Sequence, residues 1–110
     1  MFLEKFIRTN RKAFQNLCEV HNVDTLYAFG SSITARFHQD ISDIDLLVSI
    51  DPPVSADKER ALSSLCSDLE NFFDRKVDLL TAESIRNPFY RENIDRTKKL
   101  VYDREGEKIS

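Results

Sequence analysis

Two carboxylates one residue apart, Asp43 and Asp45, stand in the run Ser42-Asp43-Ile44-Asp45-Leu46-Leu47-Val48. From Ile44 to Ile50 the chain reads as a buried strand, stopped by Asp51-Pro52-Pro53 because proline cannot donate to a sheet ladder. Side chains alternate faces along a strand, so positions i and i+2 point the same way. Both carboxylates therefore project from one face at the mouth of the strand, where like charge raises the pKa of one of them. A cation between them removes that cost, and hard divalent ions such as Mg²⁺ favour oxygen ligands.

Two further pieces bear on the same chemistry. Gly30-Ser31 directly follows the short strand-like run Thr25 to Phe29. A glycine lets backbone approach a ligand closely, and a serine opening a helix offers hydroxyl and N–H groups where the helix dipole favours anions. Strand, Gly-Ser and helix in that order make a triphosphate cradle. The other piece is Asp78, inside Lys76-Val77-Asp78-Leu79-Leu80. A carboxylate amid strand-forming apolar residues is costly to bury without a partner. Taken singly, each has an ordinary structural reading: a turn and cap for Gly30-Ser31, a solvated strand start for the pair, a water-facing edge strand for Asp78. In this order they point together to a phosphoryl-type site.

The elements that must position these residues alternate between helix and strand. Leu3, Phe6, Ile7, Ala13, Phe14, Leu17 and Cys18 fall mainly at helical spacing, predicting a helix from Leu3 to about Val20. Strands are predicted over Thr25–Phe29, Ile44–Ile50, Val77–Leu80 and Lys99–Tyr102. A short helix is expected over Ile33 to Phe37, an amphipathic one from about Ser55 to Phe73, and a mostly helical stretch from Glu83 to Asp95, interrupted by Asn87-Pro88. The class is α/β (α+β): one small mixed β-sheet of about four strands flanked by helices, with residues 1–110 forming one domain.

Composition narrows the function classes. The 110 residues are 41% hydrophobic and 32% charged, which suits a globular protein with a single core. A net charge of −3 supplies no domain-wide basic field, so direct nucleic-acid binding is not expected. No apolar run approaches the roughly 18 residues that would cross a bilayer, and Met1 to Phe6 lacks the uninterrupted apolar stretch of a signal peptide. Cys18 and Cys66 fall at apolar helix positions and read as reduced thiols in a cytoplasmic protein. Phe14, Phe29, Phe72 and Phe73 read as core, whereas Phe89 and Tyr90 beside Pro88 are candidates for a partner surface. His21 and His38 have no second ligand at metal spacing and receive no role.

The order Gly-Ser, then Ser-Asp-Ile-Asp-Leu-Leu-Val, then Val-Asp-Leu-Leu resembles the DNA-polymerase-β-type nucleotidyltransferase superfamily. More narrowly it resembles the minimal nucleotidyltransferases, the small antitoxin partners of helical, HEPN-type ribonuclease toxins. The resemblance spans nearly the whole chain. Phe29-Gly30-Ser31 matches the start of the signature, Ala35-Arg36 resembles its Ala-Arg, and Arg86-Asn87-Pro88 with Leu100-Val101-Tyr102 resembles its C-terminal end. Two features depart from it. The spacer between Ser31 and Asp43 is one residue longer than is usual, and Phe37 stands where the signature has a glycine.

The resemblance implies a polymerase-β-like fold and AMP transfer from ATP to a hydroxyl, with two Mg²⁺ ions, roughly 3.5–4 Å apart in such sites. Asp43 and Asp45 fall on the paired catalytic, metal-binding carboxylates and Asp78 on the third, beside the attacking hydroxyl. Gly30 and Ser31 would bind the nucleotide phosphates, with Arg36 neutralising developing charge. The chain has no residues to spare for an acceptor domain, so the acceptor is expected on another molecule, the cognate toxin. Two alternatives stand beside this: an antitoxin that acts by binding alone, and a nucleotidyltransferase of a small hydroxyl compound such as an antibiotic, its pocket built by oligomerisation.

Overall fold

In the computed structural model, residues 2–30, 43–51, 58–105 and 108–109 are described. The stretch expected as one N-terminal helix is two, α1 (Phe2–Thr9) and α2 (Arg11–Val20). The break has a local cause. The Asn10 Nδ2 and backbone N both donate to the Phe6 carbonyl, at 3.0 and 3.1 Å, and Thr9 Oγ1 donates to the Lys5 carbonyl at 2.9 Å. Short polar side chains that bond backbone groups compete with the helical ladder. Asn22, in the left-handed region at φ 56°, then turns the chain into β1 (Val23–Phe29), which starts earlier than the expected Thr25.

The remaining elements are β2 (Ile44–Ile50), α3 (Lys58–Phe73), β3 (Val77–Leu80), a 3₁₀ turn (Ala82–Ser84), α4 (Pro88–Thr97), β4 (Lys99–Asp103) and β5 (Lys108–Ile109). The expected sheet of about four strands gains the two-residue β5, paired to β4. The helix expected over Ile33–Phe37, and the start of the helix expected at Ser55, lie outside the described residues. The interruption at Asn87-Pro88 is a helix start. Asn87 Oδ1 accepts from the backbone N–H of Phe89 at 2.9 Å and of Tyr90 at 3.3 Å, and proline suits the first helical position because that N–H has no partner to lose.

The strand order is β3-β2-β1-β4-β5, with β1 antiparallel to both neighbours and β2 parallel to β3. Alternation gives the sheet two different faces. Leu26, Ala28, Ile44, Leu46, Val48 and Val77 meet Leu3, Ile7, Phe14, Cys18, Leu65, Leu69 and Phe73 of α1, α2 and α3 in the main core. Half-buried Phe6 and Phe72 pack against it beside Phe14 and Phe73, the Phe14 and Phe72 centroids 5.3 Å apart. On the opposite face Phe29, Leu47, Ile85 and Ile94 form a smaller cluster under α4, flanked by Tyr27 and Leu80. Cys18 and Cys66 are free thiols, and burial, with Glu19 beside it, pushes the Cys18 thiol up to about 12. Among the described residues no helix is long and apolar enough to cross a membrane.

Candidate active site

The carboxylates lie at one end of the smaller face. Asp45 is two residues before Leu47, and Asp78 two before Leu80, so each shares the face of an α4-cluster residue. Asp43, two further back and just ahead of β2, is exposed and close enough for its charge to act on Asp45. The register aligns Asp45 with Asp78 directly across the parallel β2–β3 pair and with Phe29 across the antiparallel β1–β2 pair. The start of β3 is tied down independently. Its Val77 N–H donates to Glu70 Oε2 at 3.0 Å, and the Ile44 N–H donates to the Lys76 carbonyl at 3.0 Å.

β3 is an edge strand of the described sheet, and Asp78, like Asp43, is exposed, which removes the cost of an unpaired buried charge. Asp45 differs. It is half-buried, and its carboxyl is pushed up to about 6, by burial first and then by the charges of Asp78 and Asp43. Asp78 and Asp43 therefore both act on Asp45 through space. Among the described residues no three acidic, thiol or imidazole groups close into a metal-ligating cluster. The donor set itself, oxygen only and mutually repelling, fits a hard divalent cation.

Gly30 completes the site's inner wall. It ends β1 with φ +63°, and a Cβ placed there would stand 2.6 Å from Asp45 Oδ2. Glycine suits this backbone conformation, and any side chain here would also have to displace the Asp45 carboxylate. Ser31 and Arg36, expected beside the nucleotide, lie outside the described residues, as do Ala35 and Phe37.

Sequence reasoning did not place Tyr90 at this site. Tyr90 is four residues before Ile94 on α4, so it shares the helix face that packs on Phe29 and Leu47. Its phenol is pushed above the usual tyrosine range, by burial first and then by the charges of Asp45 and Asp78. The i, i+4 spacing from Tyr90 to Ile94 was the available signal. Phe89, on the other side of the helix start, is 81% exposed. His21, given no role, holds α2 to α3 through Nε2, 2.6 Å from Asp68 Oδ2.

The fold agrees with what the chain is similar to. The nucleotidyltransferase domain family matches residues 10–101. The chain belongs to the nucleotidyltransferase family. A candidate protein adenylyltransferase of Methanocaldococcus jannaschii, MJ0126, is 38% identical over 93 residues, covering 84% of this chain and 88% of that protein. The fold is that of the minimal, polymerase-β-like nucleotidyltransferases. A solved structure described as a minimal nucleotidyltransferase superposes with a TM-score of 0.66 at 25% identity, covering 87% of this chain and 93% of its own. The complex of a tri-AMPylated Shewanella oneidensis HEPN toxin with its MNT antitoxin gives a TM-score of 0.58 at 19% identity, over 90% of this chain and 74% of that one. At that identity the likeness is one of fold.

Proposed function

We propose that this nucleotidyltransferase moves AMP from ATP to a hydroxyl of a partner protein in the cytoplasm, and that the partner is a HEPN-type toxin silenced by the modification. One observation carries the reading: Asp45 and Asp78 stand opposite each other on one sheet face with Asp43 just ahead of it, Asp45 lying against Gly30 and raised to about 6 by burial and the other two charges. Mg²⁺ bound by Asp43, Asp45 and Asp78 would supply charge neutralisation at the phosphates and a more acidic acceptor hydroxyl. Asp78, on the exposed edge strand, receives the acceptor from solvent and draws its proton. Gly30 offers backbone to the phosphates, and Ser31 and Arg36 follow it in the sequence for the same task. The relative named as a candidate protein adenylyltransferase, and the AMPylated toxin in complex with a protein of the same fold, support the choice of nucleotide and acceptor.

The test is to incubate the purified HEPN-type partner with this protein, ATP and Mg²⁺, and to measure intact mass. A gain of one or more AMP units is expected, lost with Asp43→Ala and Asp45→Ala together. An unchanged partner mass, alongside a toxin shown to be active, overturns the proposal. Phe37 and the longer spacer before Asp43 favour a second reading, neutralisation by contact alone. In that case the double variant still silences the partner.

A further inference from the structure

The chain carries three tyrosines, and their surroundings differ sharply. Tyr102 is 3% exposed within the main core. Tyr27 packs against the α4 cluster with the Lys98 ammonium 4.4 Å above its ring. Tyr90 is 46% exposed and lies one turn before Ile94, which clusters with Phe29 and Leu47, the residues flanking Asp45 in the sheet. Its backbone is fixed by the Asn87 cap, and α4 is pinned from behind by Arg91, whose guanidinium donates to the Ala82 carbonyl. The phenol lies in the electrostatic reach of both Asp45 and Asp78, the two carboxylates that face each other across the β2–β3 pair. A hydroxyl so placed lies near the carboxylate to which the proposed mechanism assigns the acceptor.

We propose that Tyr90 is an acceptor in cis: with ATP bound and no partner present, the protein transfers AMP to its own Tyr90. The inference rests on the nucleotidyl-transfer reading above. Tyr90 Oη bonds to the α-phosphorus of ATP as the bridging P–O bond to the β-phosphorus breaks. Pyrophosphate leaves with that electron pair, and the phenolic proton passes to Asp78 or Asp45 and on to water. The product is a phosphodiester-linked adenylyl-tyrosine at the lip of the site. Tyr102 is no acceptor, because it is buried in the main core, and Tyr27, covered by Lys98 and the α4 cluster, is expected to stay unmodified.

The full chain is incubated with ATP and Mg²⁺ and read by intact mass and by peptide mapping. The expected result is one AMP unit on the peptide carrying Tyr90, at a first-order rate that does not change across a dilution series. It is lost in Tyr90→Phe, which melts like the wild type, and in Asp43→Asn with Asp45→Asn. An adduct on another residue, an adduct that persists in Tyr90→Phe, or labelling of the inactive double variant by added wild type overturns the proposal. Binding of AMP-PNP with Mg²⁺ by calorimetry separates the two levels. AMP-PNP bound without any adduct from ATP overturns the Tyr90 acceptor alone, and no AMP-PNP binding overturns the nucleotidyl-transfer reading with it.

Discussion

The Asp45 carboxylate lies against the backbone of Gly30, so closely that a Cβ there would stand 2.6 Å from Oδ2. Backbone geometry at the end of β1 thereby decides where a half-buried charge at the start of β2 can sit. The φ of +63° adds strain for any other residue. Gly30→Ala is expected to destabilise the fold by about 1–2 kcal/mol and to cut nucleotidyl transfer at least about tenfold, since the carboxylate must move aside. Thermal melting and the partner-modification assay check it; a variant with wild-type rate removes the close approach as a constraint.

Ionised Asp45 works against folding. Its carboxyl goes from 3.8 to about 6 in the folded chain, so the folded state holds the proton more tightly than the unfolded one. This contribution to stability is present below the unfolded value and is lost as pH rises through about 6. After solvent screening of a half-exposed group, about 1 kcal/mol remains at stake. Asp45→Asn in EDTA is expected to raise the melting temperature by about 4 °C at pH 7.5 and to leave it unchanged near pH 4. Equal shifts at both pH values would contradict it.

A divalent cation should relieve the same repulsion. Addition of Mg²⁺ alone at pH 7.5 is expected to raise the melting temperature, by about 2.7 kcal/mol of stabilisation at a hundredfold excess over its dissociation constant. The effect shrinks below pH 6, where the Asp45 carboxyl is protonated, and is absent from Asp43→Asn with Asp45→Asn. EDTA should reverse the shift and stop AMP transfer together. Differential scanning fluorimetry in parallel with the mass assay reads both.

Asn87 caps the helix that carries Tyr90 and Ile94, and its Oδ1 satisfies two N–H groups of the first turn. Asn87→Ala is expected to cost about 1 kcal/mol by urea denaturation, with Asn87→Asp close to wild type. An alanine variant as stable as the wild type would show that Pro88 alone suffices to start α4.

Much of this was legible because burial imposes simple periods. The run Ile44 to Ile50 is apolar nearly throughout, and it became β2 with its stated limits, as Val77 to Leu80 became β3. One shared face for Asp43 and Asp45 follows from alternation alone. Other features needed three dimensions. The division at Asn10 depends on side chains of Thr9 and Asn10 bonding carbonyls one turn back, while the apolar spacing continues across it. β5 is too short to carry a period of its own. Tyr90 was read as surface because exposure and proximity to a site are separate properties, and only the packing of Ile94 on Leu47 joins them.

The parallel pairing of β2 with β3 also has a kinetic side. Asp45 and Asp78 lie on either side of the α3 crossover, and parallel neighbours cannot be joined by a tight hairpin. Helices and the β1–β2 hairpin can form locally, while the carboxylates meet only once that long connection has closed in register. A slip of one residue would turn Asp78 to the face of the main core, among Leu26 and Leu46. The acidic end is therefore expected to assemble late in refolding, once the α3 crossover has closed in register.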